Sequence, residues 1–349
     1  MTTIIEPTQT RAAGRIKQQR FDWIAVILSL WMVGGLHLDA WAHHTVEVES
    51  FFTPWHGVLY SGFAAVSAAI VGMSVYNYRQ ARNWQTAVPS GYHLSLAGIG
   101  LFLAGGVGDM LWHILFGIEE NVEALLSPTH LLLAVGAGLL VTGPLRSAWR
   151  RAGRSPRLTS LLPALLSLAL LWSLFSFFTA YANAFSDAAL LQGIRPLDEE
   201  VMFLLQGLGI ASILLQTGVM VGLLLLAIRR WELPPGSFVL LFGLSTSLTV
   251  AVHVDFRLAA TAVAGGVVAE VLYRWLKPSS GQIRPFRLFA TAVPAALFLL
   301  YFGTLALSGG VWWTIHLWSG AIVLAGVAGW LISYLFIPLP AAPEIAEPA

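Results

Sequence analysis

This chain has 349 residues, of which 57% are hydrophobic and only 11% are charged, and its mean hydropathy is +0.73. A soluble domain carries about 25% charged residues, so the composition excludes a soluble protein and indicates an integral membrane protein in a lipid bilayer. The absence of Cys excludes disulfides, thiolate metal sites and iron–sulfur clusters, which leaves imidazole and carboxylate as the strong metal ligands. The net charge of +1 identifies no partner, and we expect no nucleic acid.

Hydrophobic runs separated by polar breaks predict an all-α, polytopic bundle of about ten transmembrane helices, since a span needs about 20 apolar residues. We expect a cytoplasmic N-terminal segment at 1–21, a duplicated two-hairpin unit at 22–148, further transmembrane hairpins at 149–337 and a disordered tail at 338–349. The predicted helices cover residues 22–44, 55–77, 92–116, 128–148, 159–183, 200–229, 237–254, 256–276, 287–308 and 312–337.

The positions of the Lys and Arg residues predict the topology, because these residues favour cytoplasmic loops. All but Arg195 and Arg257 lie at the N-terminus or in every second loop. We therefore expect a protein of the inner or plasma membrane with both termini in the cytoplasm. Its helices are expected to form five hairpins whose tips face outward. The predicted outward tips hold the acids Glu47, Glu49, Glu119, Glu120, Glu123, Asp187, Asp198, Glu199 and Glu200.

The first hairpin tip holds Asp39-x3-His43, followed after a loop by Thr53-Pro54-Trp55-His56. Residues four apart lie on one helix face, so Asp39 and His43 point the same way. Thr followed by Pro is typical of a helix start, which fixes the depth of His56. Because the two helices of a hairpin run antiparallel, we expect the three side chains to converge.

The second hairpin tip repeats this arrangement with Asp109-x3-His113 and Ser127-Pro128-Thr129-His130. The repetition indicates an internal duplication. Two imidazoles and a carboxylate suit Cu(II), Zn(II) or Fe(II), so Asp39, His43, His56, Asp109, His113 and His130 are the predicted metal ligands. The alternative is that these side chains only cap helices and form hydrogen bonds across the bundle; ionisable groups inside a membrane are costly and usually functional.

Five further residues are candidates either for hydrogen bonds to the metal ligands or for an additional metal site: His37, His44, His253, Asp255 and His316. His37 and His44 point in other directions around the first helix than the two ligands there. The other three lie at outward helix ends, where a hydrogen-bonded pair is an equally good interpretation.

The first hairpin tip contains Asp39-x3-His43-x12-His56, with Phe52-Thr53-Pro54-x-His56 and then Tyr60. This run resembles the metal-binding stretch of the C subunit of the membrane-bound copper monooxygenases. These are the particulate methane and ammonia monooxygenases, and the resemblance covers about residues 30–140. It implies copper at the first site. It also implies that Asp109, His113 and His130 occupy the place of the family's second site, where the first ligand is Asn.

The resemblance implies a catalytic role and partner subunits, because that polypeptide works in a complex with two others, one of which carries a soluble copper domain. A copper-dependent monooxygenase or related oxidase subunit, acting with dioxygen on a small apolar substrate, is the first hypothesis. A non-catalytic copper or zinc carrier, sensor or loading factor is the alternative, and a homo-oligomer is also compatible. Di-iron hydroxylases need many more His residues, and a proton relay through Asp39 and Asp109 would not need the Pro-anchored histidines.

Overall fold

A computed structural model describes residues 7–46, 52–117, 119, 121–151, 153 and 156–337 of the chain. The predicted all-α class is confirmed, because these residues form helices joined by loops and turns and contain no β-strand. The α-helices are α1 (Pro7–Thr45), α2 (Pro54–Ala81), α3 (Trp84–Ala87), α4 (His93–Phe116), α5 (Glu123–Leu126), α6 (Pro128–Val141), α7 (Gly143–Arg150), α8 (Leu158–Phe178), α9 (Glu199–Arg230), α10 (Ser237–His253), α11 (Phe256–Leu276), α12 (Ile283–Ser308) and α13 (Ile315–Phe336).

The helices have the length and composition of membrane spans. Within the described residues, nine helical segments are long and apolar enough to cross a bilayer, counting α6 and α7 together as one segment of 23 residues. The tenth predicted span is α10, which is also apolar but has only 17 residues. The chain is therefore a multi-pass membrane protein, with about the number of spans that the sequence predicts.

Several helix boundaries differ from the predicted ones. Helix α1 begins at Pro7 rather than at residue 22, because Ala, Arg, Lys and Gln in this polar stretch are good helix formers. The predicted helix 128–148 is interrupted at Thr142, where Pro144 lies in the first turn of α7 and cannot donate a backbone hydrogen bond. The predicted tail 338–349 and the acids Glu47, Glu49 and Glu120 lie outside the described residues.

The predicted helix 159–183 ends earlier, at Phe178. Residues beyond it form two short 3-10 turns, and the Asn183 side chain accepts a hydrogen bond from the backbone N–H of Phe185 at 3.0 Å. The connection that follows α8 contacts α12, because the Tyr301 hydroxyl of α12 donates a hydrogen bond to the carbonyl oxygen of Ala184 at 2.6 Å. This connection separates α8 from α9.

The helices pack largely as consecutive pairs. Helices α1 and α2, α4 and α6, α10 and α11, and α12 and α13 are the close neighbours expected of hairpins. The third predicted hairpin is open, because α8 packs chiefly against α10, and α9 packs against α13. The first two pairs, which carry the predicted metal ligands, are the most extensively packed in the described part of the chain.

Glycines bring the helices of the first two pairs close together. A Cβ at Gly35 would lie 2.8 Å from Leu59 Cα, and a Cβ at Gly136 would lie 2.6 Å from the backbone nitrogen of Phe102. These distances are shorter than real Cβ contacts, so only Gly fits at these positions. Small residues at such contacts let membrane helices pack backbone against backbone.

A buried polar network joins the two pairs near the N-terminal part of α1. Asp22 is fully buried and accepts hydrogen bonds from the Tyr92 hydroxyl at 2.9 Å and the Ser147 hydroxyl at 3.0 Å. Arg151 forms an ion pair with the same carboxylate. Paired and hydrogen-bonded in this way, the carboxylate fixes α1 against α7 and the start of α4.

Candidate metal centres facing one cavity

The first triad consists of Asp39, His43 and His56. Asp39 and His43 lie one turn apart near the end of α1, and His56 lies in the first turn of α2. Asp39 Oδ2 is 3.5 Å from His56 Nε2 and 3.9 Å from His43 Nε2. Thr53 caps α2: its hydroxyl accepts from the backbone N–H of His56 at 3.2 Å and lies 2.8 Å from His56 Nδ1. The predicted Thr-Pro helix start is confirmed, and it holds His56 towards Asp39.

The second triad consists of Asp109, His113 and His130. Asp109 and His113 lie near the end of α4, and His130 lies in the first turn of α6 behind the Ser127 cap. Asp109 Oδ2 is 3.4 Å from His113 Nε2, and Asp109 Oδ1 is 3.1 Å from His130 Nε2. The Thr129 hydroxyl donates to Asp109 Oδ1 at 3.0 Å. Both predicted convergences are thus present.

Each triad has the donor atoms and spacing of a metal site. The three ligand atoms of each lie within 4.8 Å of one another, and both carboxylates are buried, with Asp39 7% and Asp109 2% exposed. Thr53 and Ser127 cap the helices, so capping does not explain the Asp and His side chains. Asp39 Oδ1 has no hydrogen-bond partner within the described residues. Nitrogen and oxygen donors converging in this way fit a divalent transition metal.

The two triads are separate groups, but both line one cavity of about 1050 Å³. Tyr60 also lines this cavity and stacks on His56, with ring centroids 6.3 Å apart. The rest of the wall is largely apolar and includes Leu36, Leu59, Phe102, Leu133, Leu174, Phe177 and Phe178. A small ligand in this cavity has access to both triads.

His37 lies outside both triads and is buried between α1 and α8. Its Nδ1 is 2.9 Å from the carbonyl oxygen of Val33, and its Nε2 is 3.1 Å from the Ser173 hydroxyl. The imidazole also packs edge-on against Phe177 at 5.2 Å. Both ring nitrogens have partners, so this residue joins two helices.

The other four candidates have three different surroundings. His44 and His253 line the cavity, and their ring centroids are 5.0 Å apart. Asp255 binds Arg257 at 2.7 Å, and the hydrogen bonds from Arg257 hold the pKa of the Asp255 carboxyl below its ordinary value. His316 is exposed in the first turn of α13 and belongs to neither triad.

Glu119 belongs to the site although the sequence indicated only an acid at a hairpin tip. Its Oε2 lies 3.1 Å from Nδ1 of His113, and its side chain is 9% exposed. The position depends on the loop after α4, which turns at Gly117 with φ +87°. Hydropathy and helical spacing carry no information about such a loop conformation.

Comparisons of this chain with protein-family models, with curated proteins and with solved structures gave no match. The resemblance to the copper monooxygenases therefore stays a prediction from the motif around Asp39, His43 and His56. The fold and the two triads rest on the structure itself.

Proposed function

We propose that this protein is a copper-dependent membrane monooxygenase or a related oxidase subunit that acts on a small apolar substrate. The observation that carries the proposal is the pair of buried Asp/His/His triads facing one apolar-walled cavity. Ionisable side chains in a membrane protein interior are costly and usually functional.

The donor set supports copper. Imidazole and carboxylate are ligands that Cu(II) accepts, although zinc and iron accept them too. Three protein ligands leave coordination positions open, as in catalytic metal sites. Copper would supply the activation of dioxygen, and the motif at the first triad resembles that of a copper enzyme family. The residues of the triads would hold and orient the metal.

The cavity supports a small apolar substrate. Its volume of about 1050 Å³ is sufficient for a small molecule beside the two triads. Leu and Phe side chains form much of the wall, so an apolar substrate is favoured over a charged one. Its position would bring the substrate next to both metals.

The test is metal analysis with electron paramagnetic resonance on the purified full chain in lipid nanodiscs, together with oxygen consumption in the presence of small alkanes or alkenes and of ascorbate as the electron donor. We expect a Cu(II) signal that His56→Ala and His130→Ala each reduce and the double variant abolishes, with parallel loss of oxygen consumption. The exposed His316→Ala is the control and should change neither. A chain that holds no copper when supplied with it, or full activity in the double variant, would overturn the proposal.

A non-catalytic copper or zinc handling protein is the second candidate. One observation favours it: the His43 side chain is 35% exposed, so a metal at the first triad has a ligand in contact with the surroundings and could exchange. The absence of Cys and the presence of only six Met disfavour Cu(I) transfer, which uses soft ligands. Exchange of bound metal without oxygen consumption would decide for this candidate.

A further inference from the structure

Glu119 is a buried carboxylate that the triads themselves do not account for. Its side chain is 9% exposed and lines the cavity, and its Oε2 lies 3.1 Å from Nδ1 of His113. Within the described residues, neither carboxylate oxygen has a partner that meets hydrogen-bond geometry, and this contact with His113 is the closest one shown for the carboxylate. Burying a carboxylate without partners is costly. We therefore ask what the Glu119 carboxylate does beside the His113 imidazole.

The surroundings of His113 suit one ring tautomer when a metal is bound. Nδ1 faces two acceptors, Glu119 Oε2 at 3.1 Å and the carbonyl oxygen of Gly117 at 3.3 Å. A neutral imidazole has one N–H and one lone pair, so a metal that takes the Nε2 lone pair requires the proton on Nδ1, where these two acceptors lie. The lone pair of Nε2 then points towards Asp109 Oδ2 at 3.4 Å. Two electron-rich atoms facing each other in this way are stabilised by a cation between them.

In the first triad, His56, which corresponds to His130, has a hydroxyl beside its Nδ1 rather than a carboxylate. There Nδ1 lies 2.8 Å from the Thr53 hydroxyl, which can donate or accept a hydrogen bond, whereas a carboxylate can only accept. The hydroxyl therefore allows either tautomer of His56. The two triads, alike in their ligands, differ in what holds their imidazoles.

We propose that Glu119 is a positioning residue of the second triad, which fixes the His113 tautomer, orients the ring and strengthens metal binding there. Carboxylates that accept from the second nitrogen of a metal-binding imidazole have this effect in general, and their loss weakens metal affinity about 10- to 100-fold. The spacing Asp-x3-His-x5-Glu also occurs at Asp39, His43 and Glu49, although the structure describes the acid only in the second copy. The inference rests on metal binding as proposed above.

The test isolates the second triad with His56→Ala in the full-length chain and then adds Glu119→Gln. Cu²⁺ and Zn²⁺ are titrated separately against a competing chelator in nanodiscs, and the Cu²⁺ form is examined by electron paramagnetic resonance. We expect Glu119→Gln to weaken binding about 10- to 100-fold and to change the copper hyperfine splitting. The matched control is Glu123→Gln, an exposed acid four residues further along the chain, which should change neither.

A second variant separates positioning from charge. Glu119→Asp keeps the charge but withdraws the carboxylate from Nδ1 by one methylene, so we expect it to weaken binding as well. It also supplies the comparison if Glu119→Gln fails to insert, which size-exclusion chromatography would detect. Unchanged affinity and spectrum in the folded variant would overturn the inference. Absence of metal in the His56→Ala background itself would instead count against the proposed second metal site.

Discussion

Asp39 and Asp109 each face both histidines of their own triad, at 3.1–3.9 Å. Each carboxylate is the one anionic member of its triad, so its removal should weaken the binding of a cation there. We expect Asp39→Asn at the first triad and Asp109→Ala at the second each to lower the metal content from about two ions to about one per chain. Mass-spectrometric metal analysis of the purified protein measures this.

The control for that pair is Asp187→Asn, because Asp187 lines the same cavity but belongs to neither triad. It should retain both ions. If Asp39→Asn alone emptied both triads, they would behave as one shared cluster rather than as two separate sites.

Local rules predict that the side chains of each triad converge, because each step of the argument lies within one helical turn. The four-residue spacing places Asp39 beside His43, and the Thr53 cap with Pro54 places His56. Residues whose surroundings depend on distant parts of the chain were not predictable in this way. His37 bonds Ser173, which lies 136 positions away, and nothing in the sequence near either residue indicates that contact.

At the scale of helices, the second triad depends on the close approach of α4 and α6. A Cβ at Gly136 would lie 2.6 Å from the backbone nitrogen and 2.8 Å from Cα of Phe102, and backbone atoms cannot move aside. We expect Gly136→Ala to force the pair apart, to destabilise the protein by about 1–3 kcal/mol and to weaken metal binding at the second triad. Thermal unfolding and metal titration measure both effects.

Two comparisons make this prediction specific. Gly138→Ala, on the same helix, would place its Cβ in ordinary contact with Leu171 Cδ1 at 3.9 Å, so it should be tolerated. Gly35→Ala would place its Cβ 2.8 Å from Leu59 Cα and should weaken the first triad instead. Equal effects of the substitutions at Gly136 and Gly138 would contradict the role of helix approach.

Hydropathy predicts which segments are helical, because a membrane span needs a long apolar run. It does not predict which helices are neighbours when the connection between them is long. The loop after α8 reaches α12 through Tyr301 and lets α8 pack against α10. Short connections left no such freedom to the first two pairs, so their hairpins and their triads follow from the sequence.

In the whole molecule, two similar helix pairs are fixed together at one end and share a cavity at the other. The Asp22 network with Arg151 joins them near the start of the apolar part of α1 (Lys17–Thr45), and Asp39 lies 17 residues further along the same helix. At about 1.5 Å per residue this is about 25 Å, most of the thickness of a bilayer core. The network and the first triad are therefore separated along α1 by a distance close to the thickness of a bilayer core.

The distribution of Lys and Arg predicts which boundary faces the cytoplasm, and the absence of native Cys makes a clean test possible. Ile194 is 94% exposed in the connection between α8 and α9, and Gly281 is exposed between α11 and α12. We expect a membrane-impermeant maleimide to label Ile194→Cys in intact cells, and Gly281→Cys only after permeabilisation. The reverse pattern would place both triads at the cytoplasmic boundary, where metal and substrate would have to arrive from inside the cell.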